Sequence, residues 1–353
     1  MVVRTLPTLA AAATALLLAG CGSTASDSST SDDADGVSLT NCDVEKTYQA
    51  PVERIVATSN SANIGTLLRV GAVDQLAAVA LNPDNDEIMT ELYGPGIEDV
   101  PRLESPISLE AIVAETPDLL IGSYSGLFAG SSGVTEEVAA DRDIDTYVIS
   151  DSCRQDPEDS SSALGTMDPW TAVRTDLENY GALTGHEDEA SEAIEDLDER
   201  LGALEDAPRP DEAPKVLLFD SGTDDLYTSG HNGPPQGIIE AAGGENVFAD
   251  EDTTWFRASW EAVAGRQPDV IVVLDYRSGD ENEVATKIDT IRQQPALRQL
   301  PAVTEDRIVV LPLALFTSGH PNIEAAEALR TSFDDLGLTP DSGIEGRFAG
   351  YGR

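Results

Sequence analysis

The chain has 353 residues, of which 65 are acidic and 21 basic, giving a formal net charge of −44 at pH 7. This balance excludes nucleic acid as a partner, because nucleic-acid-binding proteins need basic surfaces that neutralise phosphates. The charge indicates a well-solvated acidic surface and says little about the ligand. The length predicts two domains.

The first 20 residues have the features of a secretion signal. The apolar stretch over residues 6–18 is too short to span a membrane but is typical of a signal peptide. It leads into Leu-Ala-Gly-Cys at residues 18–21, which resembles the lipobox of bacterial lipoproteins. We therefore expect a signal peptide at 1–20, lipidation of Cys21 and anchoring to the cell membrane on its extracytoplasmic face. An ordinary secretory signal with an incidental cysteine is the alternative. Polar residues dominate 21–41 and predict a disordered tether.

Residues 42–186 are predicted to form an N-terminal α/β lobe. A helix between the first two strands ends at Gly71, which is a favourable residue for stopping a helix. The predicted strands cover residues 54–58, 76–80, 119–122 and 146–149. Strands that alternate with helices favour a parallel sheet covered on both faces.

Two helices and a second α/β lobe follow. Residues 169–183 and 187–204 have the pattern of amphipathic helices, separated at Gly185. We expect 187–206 to be the one long helix that connects the lobes, and 207–353 to be the C-terminal lobe. A single rigid connector predicts modest hinge motion. The predicted strands of the second lobe cover residues 215–219, 270–272 and 308–311.

One segment occurs twice, at a constant offset of 151 residues. Residues 108–121 and 259–272 each begin with a Ser at a helix start, continue with a Glu, and pass through Pro-Asp into an apolar strand. The period is too long for a solenoid, whose repeats run at about 20–50 residues. It predicts two similar lobes with a cleft between them, each presenting an equivalent glutamate, Glu110 or Glu261.

Cys42 and Cys153 are the cysteines that remain after Cys21. An exported protein meets oxidising conditions, so an even remainder favours a structural disulfide bond. Two unrelated buried thiols are the alternative, because spacing alone does not show proximity. The bond would close a loop of 110 residues and hold the N-terminal edge onto its lobe.

The chain from residue 42 onward resembles a known family. The similarity lies in the lipobox and, in this order, in residues 51–54, 108–120, 240–250 and 259–272. Together these segments resemble the helical-backbone class of periplasmic binding proteins, the receptors of ABC importers for ferric siderophores, haem and vitamin B12. The resemblance implies an α/β fold of two Rossmann-like lobes with mainly parallel sheets, bridged by one long α-helix, with a ligand cleft between the lobes.

The resemblance also implies a partner, the permease dimer of an ABC transporter. In the family, one glutamate on each lobe docks into a basic pocket of the permease, and Glu110 and Glu261 stand at the matching positions. Two carboxylates near helix starts, one on each lobe, can be held by arginines of a two-fold symmetric partner. The residues alone leave open that each glutamate interacts only with its own helix N-terminus.

Loops at the carboxyl ends of the predicted strands nominate the ligand-binding residues, because open α/β sheets bind ligands there. Aromatic residues make up only 5% of the chain, yet several fall in these loops, which suits a large ligand stacked on rings. The arginines among the candidates would form ion pairs with anionic groups of the ligand. Packing within its own loop is the alternative for each aromatic residue. The candidates are Asn60, Tyr124, Tyr227, Trp255, Arg257, Tyr276, Arg277 and Phe316.

The histidines give little support for a bare metal ion as the ligand. His231 and His320 fall in second-lobe loops but lack the paired spacing of metal sites, so they are weak candidates for metal or haem ligation. A ferric siderophore carries its iron already coordinated and needs no ligand from the protein. This iron chelate is the first prediction, with haem, cobalamin or a metal ion as alternatives, and no resident cofactor is expected.

An enzyme is the alternative of a different class. The sequence has no Gly-x-Ser-x-Gly elbow, no phosphate-binding loop and no Gly-x-Gly-x-x-Gly turn after the first strand. Ser221 beside Asp220 would make a hydrolase site only if a histidine such as His231 converged on them. A binding protein rather than an enzyme is therefore predicted. A surface adhesin or scaffold, the third class, would need no cleft between two lobes.

Overall fold

The computed structural model describes residues 36–124, 126–129, 132–153 and 165–352. These residues form two α/β lobes, each built on a four-stranded sheet, as the alternating pattern predicts. Among the helices of these ranges, none has both the length and the apolar character that a membrane crossing needs. The predicted signal peptide, Cys21 and most of the predicted tether lie outside the described residues.

The described chain begins with an antiparallel hairpin of β1 (Val37–Asn41) and β2 (Val44–Tyr48). The Asn41 side-chain amide imitates a backbone peptide group. It donates to the Val148 carbonyl at 2.7 Å and accepts from the Val148 N–H at 2.9 Å. Because β1 occupies part of the region predicted as tether, 21–41, the predicted end of the tether is wrong. The strand is short and polar, with half-buried and exposed residues alternating, so the sequence does not distinguish it from a linker.

The predicted disulfide bond is confirmed. Cys42 lies in the turn of the hairpin and is bonded to Cys153, with the two Cα atoms 5.1 Å apart. The Tyr48 hydroxyl adds a third attachment by donating to the Thr146 carbonyl at 3.0 Å. The hairpin is therefore fastened to one edge of the first sheet.

The first sheet is parallel, and its central strands are completely buried. Its strands are β3 (Ile55–Ala57), β4 (Leu76–Val79), β5 (Leu119–Gly122) and β6 (Asp145–Val148), and its helices are α1 (Ser61–Arg69), α2 (Asp86–Tyr93), α3 (Leu109–Ala114) and α4 (Glu136–Ala140). The strand order is β4-β3-β5-β6. Every residue of β3, β4 and β5 is buried, as expected for a sheet covered by helices on both faces.

Two packed helices, α5 (Pro169–Thr184) and α6 (Glu187–Asp206), bridge the lobes. Gly185, in the left-handed conformation at φ +75°, separates them, as its position predicts. The helix α6 is the predicted connector, and α5 packs along it. The first turn of α5 packs against Gly237 of the second lobe, and its last turn accepts a hydrogen bond from the Val52 N–H of the first. The bridge is thus a helix pair.

The second lobe repeats the architecture of the first. Its strands are β7 (Lys215–Phe219), β8 (Leu226–Ser229), β9 (Glu245–Asn246), β10 (Trp255–Ala258), β11 (Val270–Asp275) and β12 (Ile308–Pro312). Its helices are α7 (Pro234–Ala241), α8 (Trp260–Arg266), α9 (Glu283–Gln293), α10 (Pro301–Thr304) and α11 (Asn322–Asp335). The parallel sheet has the order β12-β11-β7-β9. The strands β8 and β10 form a separate antiparallel ribbon, which is not among the predicted elements.

The repeated sequence segments adopt the same local structure. Asp118 and Asp269, from the two Pro-Asp turns, each accept a hydrogen bond from the backbone N–H at the start of the adjacent strand segment. The donors are Arg54 and Lys215, both at 2.9 Å. Each turn therefore fixes its own strand beside the first strand of its lobe, which explains why the same residues recur.

The lobes touch along a seam formed by residues 62–66 of α1 and residues 317–321 before α11. The His320 N–H donates to the Thr66 hydroxyl at 2.9 Å. A Cβ built on Gly319 would lie 2.1 Å from the Ala62 carbonyl oxygen, so only glycine fits this backbone-to-backbone approach. The two lobes are consequently in direct contact and not merely linked.

Candidate ligand-binding cleft

A cavity of about 340 Å³ lies between the lobes. Residues that follow β3, β5 and β6 line one wall, and residues from the start of α7, from β10 and from the segment after β12 line the other. Open α/β sheets bind ligands at the loops that follow the carboxyl ends of their strands, which we call the strand-end rule, and the cavity lies where this rule predicts. The lining residues include Ser59, Asn60, Ser123, Asp151, Trp255 and Ser318.

The wall that follows β3 is held by hydrogen bonds within the first lobe. The Thr58 hydroxyl donates to the Ile121 carbonyl at 2.9 Å. Asn60 caps α1 by accepting from the Asn63 N–H at 2.9 Å, and the Ser59 hydroxyl donates to the Asn63 side chain at 2.8 Å. This wall is therefore organised without a ligand, which lowers the entropic cost of binding.

Asp151 is the one residue with a formal charge among the described residues that line this cavity. Its carboxylate accepts a hydrogen bond from the Ser318 hydroxyl, so the contact joins the two walls of the cleft. Burial raises the pKa of Asp151 to about 6, and the hydrogen bond from Ser318 opposes this shift. At pH 7 the group is still mostly ionised, so it gives the cleft a negative charge.

The buried carboxylate of Asp176, on α5, organises the turn that carries Asp151. Its Oδ1 accepts from the hydroxyls of Tyr147 at 2.7 Å and Ser150 at 2.6 Å. Its Oδ2 accepts from the Asn63 amide at 3.2 Å. Burial raises the pKa of Asp176 to about 7, against the effect of these donors. The network fixes the residue next to Asp151 and therefore the Asp151 backbone.

The ribbon of β8 and β10 carries an aromatic pair. The rings of Tyr227 and Trp255 stack with centroids 5.8 Å apart and planes 24° apart. Arg257 lies opposite Tyr227 in the ribbon and pairs with Asp225 at 3.1 Å. The structure thus brings three predicted residues together, and Trp255 lines the cavity. Arg257 and Asp225 are both half exposed or more, so their ion pair is weak, and Arg257 does not itself line the cavity.

A neighbouring cavity of about 390 Å³ shares Asn60 and Thr317 with the first, so the two are parts of one cleft. Tyr276 lines this second part, and its hydroxyl donates to the buried Asp220. The Ser221 hydroxyl donates to the same carboxylate at 2.8 Å. Asp220 is therefore held by hydroxyl groups, and these contacts do not form the histidine-assisted site that a hydrolase would need.

Three other predicted contact residues are engaged elsewhere. Phe316 is fully buried in the core and has no surface to offer a ligand, so its prediction as a contact is wrong. The Tyr124 hydroxyl donates to Glu136 at 2.7 Å. Arg277 pairs with Glu87 of the first lobe at 2.8 Å and so connects the lobes.

The candidate histidines are not placed in the cavity. His320 is buried at the seam, with Nδ1 3.0 Å from the Tyr93 hydroxyl. Burial lowers the pKa of His320 to about 3, which keeps the ring neutral. His231 is exposed. Within the described ranges, no three or more His, Cys, Asp or Glu side chains are grouped so that they could hold a metal ion.

Glu110 and Glu261 occupy matching exposed positions in the first turns of α3 and α8. The N-termini of these helices are capped by Ser108 and Ser259, whose hydroxyls each accept a backbone N–H at 3.2 Å. Because serines perform the capping, the glutamate carboxylates remain accessible to a partner.

The sequence predicted Asn60 at the cleft but not Asp151 and Ser318, the pair that joins its two walls. Asp151 comes directly after Ser150, which follows a predicted strand, and Ser318 lies two residues after Phe316. The strand-end rule therefore reached both loops. The preference for aromatic side chains then selected Phe316, which packs in the core, and Ser318 was not chosen.

Comparisons with known proteins give consistent results. The sequence profile described as periplasmic binding protein matches residues 55–315. The vitamin B12-binding protein of Yersinia pestis (strain Pestoides F) is 27% identical over 236 residues, which are 65% of this chain and 72% of that protein. The crystal structure of an ABC-type Fe3+-hydroxamate transport system from Saccharomonospora viridis DSM 43017 is 26% identical, with a TM-score of 0.68, and the match covers 84% of this chain and 98% of that one. A periplasmic binding protein from Veillonella parvula shares the fold at 19% identity, with a TM-score of 0.70 over 84% of this chain and 97% of its own.

Proposed function

The chain belongs to the periplasmic binding protein family, and from this membership we propose that it captures a ferric siderophore for an ABC importer. The family is extracytoplasmic, and its members bind small molecules rather than transform them. The observation that carries the proposal is the cavity between the lobes, with Trp255 on one wall and hydroxyl-bearing side chains around it. Lipidation of Cys21 would keep this receptor at the membrane surface.

An iron chelate suits the chemistry of this cleft. The iron in such a ligand already has its coordinating groups, so the protein has to supply only ring stacking and hydrogen bonds. The described residues offer both and contain no grouped metal ligands. The Saccharomonospora viridis structure, described as an Fe3+-hydroxamate transport system, supports the same class of ligand.

Cobalamin is the second candidate, because the vitamin B12-binding protein of Yersinia pestis is 27% identical to this chain. Its corrin ring also carries its metal already coordinated and would stack on the same aromatic pair. Haem stands beside cobalamin as an alternative, with its iron ligand to come from a residue other than His231, which is exposed, or His320, which is buried at the seam. The Tyr276 hydroxyl is likewise occupied by Asp220.

Tryptophan fluorescence tests the proposal. We expect ferric siderophores to quench the emission of the purified protein in a saturable way, because Trp255 lines the cavity. The W255F variant should lose most of this quenching, and a titration that follows the absorbance of the chelate should show weaker binding. Haem, cobalamin and free metal ions are titrated in parallel.

The matched control is W170F, which removes a partly buried tryptophan that is packed against the core. It should keep the siderophore-dependent quenching and the affinity. Absence of binding by every iron chelate would reject the proposed ligand. Saturable binding of cobalamin alone would retain the receptor function and replace the cargo.

Delivery to the permease is the second part of the proposal. Glu110 and Glu261 are exposed, stand at equivalent places in the two lobes, and are not needed to cap their helices. One carboxylate on each lobe suits a permease dimer that presents one basic pocket per subunit. We therefore assign the two glutamates to docking and not to ligand binding.

A further inference from the structure

The described lining of the main cavity is polar but almost uncharged. Eight of its residues carry a hydroxyl or amide side chain, so the walls can form hydrogen bonds with a ligand of many polar groups. None of the described lining residues is Lys, Arg or His. The two arginines predicted to meet ligand anions, Arg257 and Arg277, do not line this cavity and form ion pairs with Asp225 and Glu87.

The charge that the cavity does contain is negative and has no cationic partner in the hydrogen bonds and ion pairs of the described residues. Asp151 is held by the Ser318 hydroxyl, which is neutral. A carboxylate removed from water and left without a cation is unfavourable, and a cation bound beside it restores the lost stabilisation. The same carboxylate repels an anionic ligand, which makes it a source of discrimination.

Iron chelates differ widely in charge. Three hydroxamate groups carry one negative charge each, and together they neutralise Fe3+. Three catecholate groups carry two each and leave the complex with three negative charges. Carboxylate-rich chelates are also anionic. A cleft that has one carboxylate and no described cation suits the first class and disfavours the others.

We propose that the cleft selects a ferric trihydroxamate that carries a positively charged side group, and that Asp151 is the residue that recognises this group. The inference rests on the proposed siderophore-binding function and narrows it to one class of chelate. Trp255 would stack on the body of the ligand, and the hydroxyl groups of the walls would meet its amide and hydroxamate oxygens.

A series of three chelates with one iron centre tests this selection. Ferrioxamine B is a linear ferric trihydroxamate with a terminal ammonium group, its N-acetyl derivative is neutral there, and its N-succinyl derivative carries a carboxylate. Affinities are measured by isothermal titration calorimetry with the purified protein. About 1 M NaCl screens the field of the acidic surface, because the Debye length falls to about 3 Å. We expect the ammonium form to bind at least about tenfold more tightly than the succinyl form, a difference of about 1.4 kcal/mol.

Variants locate the effect at Asp151. In D151N the affinities of the three chelates should converge to within about twofold, because the variant is nearly isosteric but uncharged. S318A should keep the preference, since it removes the hydrogen bond and leaves the charge. D211N is the matched control, because it changes the net charge equally at an exposed loop residue before β7.

The outcomes separate the two proposals. Equal affinities for the three chelates in the unmodified protein, or tightest binding of the succinyl form, would overturn the charge selection and leave the siderophore receptor intact. A preference that persists in D151N would overturn the role of Asp151. If none of the three chelates binds but an anionic chelate or cobalamin does, the trihydroxamate inference fails while the receptor function stands.

Discussion

At the scale of single residues, Asp176 connects the helix pair α5 and α6 to the candidate cleft through hydrogen bonds. It lies on α5, and its carboxylate receives hydrogen bonds from Tyr147, Ser150 and Asn63 of the first lobe. The Asn63 side chain also accepts from the hydroxyl of Tyr180, which lies on the same helix as Asp176. A buried network of this kind specifies one arrangement, because every member depends on the others for its partners.

We expect D176N to lower the free energy of unfolding at pH 5 by about 1–3 kcal/mol, because the amide turns two N–H hydrogens toward the surrounding donors where the protonated carboxyl has one O–H. The effect of pH follows from the pKa of Asp176, which burial raises to about 7. Between about pH 4 and 7 the unfolded chain has lost this proton while the native protein keeps it, so this group's contribution to stability falls as pH rises. Asparagine lacks that dependence, so the difference between the two proteins should narrow at pH 8.

Urea unfolding of both proteins at pH 5 and pH 8 measures this prediction. D289N serves as the control, because it removes one carboxylate from an exposed position on α9. It should leave both the stability and its pH dependence close to those of the unmodified protein. If the free energies of unfolding of D176N and the unmodified protein differ by the same amount at both pH values, the proposed titration of Asp176 is contradicted.

At the scale of elements, the hairpin of β1 and β2 is a small unit that depends on its attachments. Two strands are marginally stable alone, so the disulfide bond, Asn41 and Tyr48 have to hold it on the sheet. Replacing both Cys42 and Cys153 by serine should lower the free energy of unfolding by about 3–5 kcal/mol, because the bond closes a long loop in the unfolded chain. Urea unfolding without reductant measures the loss, and a change below about 1 kcal/mol would refute it.

Hydrogen exchange separates the local effect of that double variant from the global one. The amides of β1 and β2 should exchange faster relative to those of β5, which lies in the centre of the first sheet. Serine at Cys42 alone, with Cys153 left as a thiol, gives the same loss of the cross-link. It should therefore match the double variant in stability.

The elements that could be predicted from sequence are those with an apolar run or a recurring motif. The strands β5 and β7 and the helix α6 match the predicted bounds, because their patterns are strong and local. The ribbon of β8 and β10 was missed, since its strands are short and mix buried positions with partly or fully exposed ones. The hairpin of β1 and β2 was missed for the same reason.

The candidate site was only partly predictable, because its main contact joins residues far apart in the chain. The strand-end rule placed Asn60 and Trp255 at the cleft, where the structure also has them. The contact between Asp151 and Ser318 spans 167 residues and depends on how the lobes meet. No local sequence pattern predicts which residues of the two lobes meet, so this contact is found only in the three-dimensional structure.

At the scale of the whole molecule, the two lobes present Glu110 and Glu261 as one matched pair. We expect the double variant E110Q/E261Q to bind the ligand with unchanged affinity but to support little uptake in cells, because both charges would be lost from the surface that we propose docks onto the permease. Uptake of the radiolabelled iron chelate measures the effect, and the single variants should be intermediate. Unchanged uptake in the double variant would overturn the docking assignment.

The control for this experiment is E189Q/E192Q, which removes the same charge from exposed positions on α6. It should support normal uptake. The pair E110D/E261D keeps the charge on shorter side chains, so it should recover part of the uptake. Loss of uptake in E189Q/E192Q would point to net charge in place of a specific contact.

The approach of Gly319 to Ala62 has a consequence for how such proteins can be recombined. The repeat suggests halves that began as equals, and exchange of whole lobes between relatives would then be a natural route to new specificities. Here a side chain on one half would collide with the main chain of the other. A functional chimera must therefore keep glycine at position 319 whichever parent supplies that lobe, because the Ala62 carbonyl that it approaches belongs to the main chain.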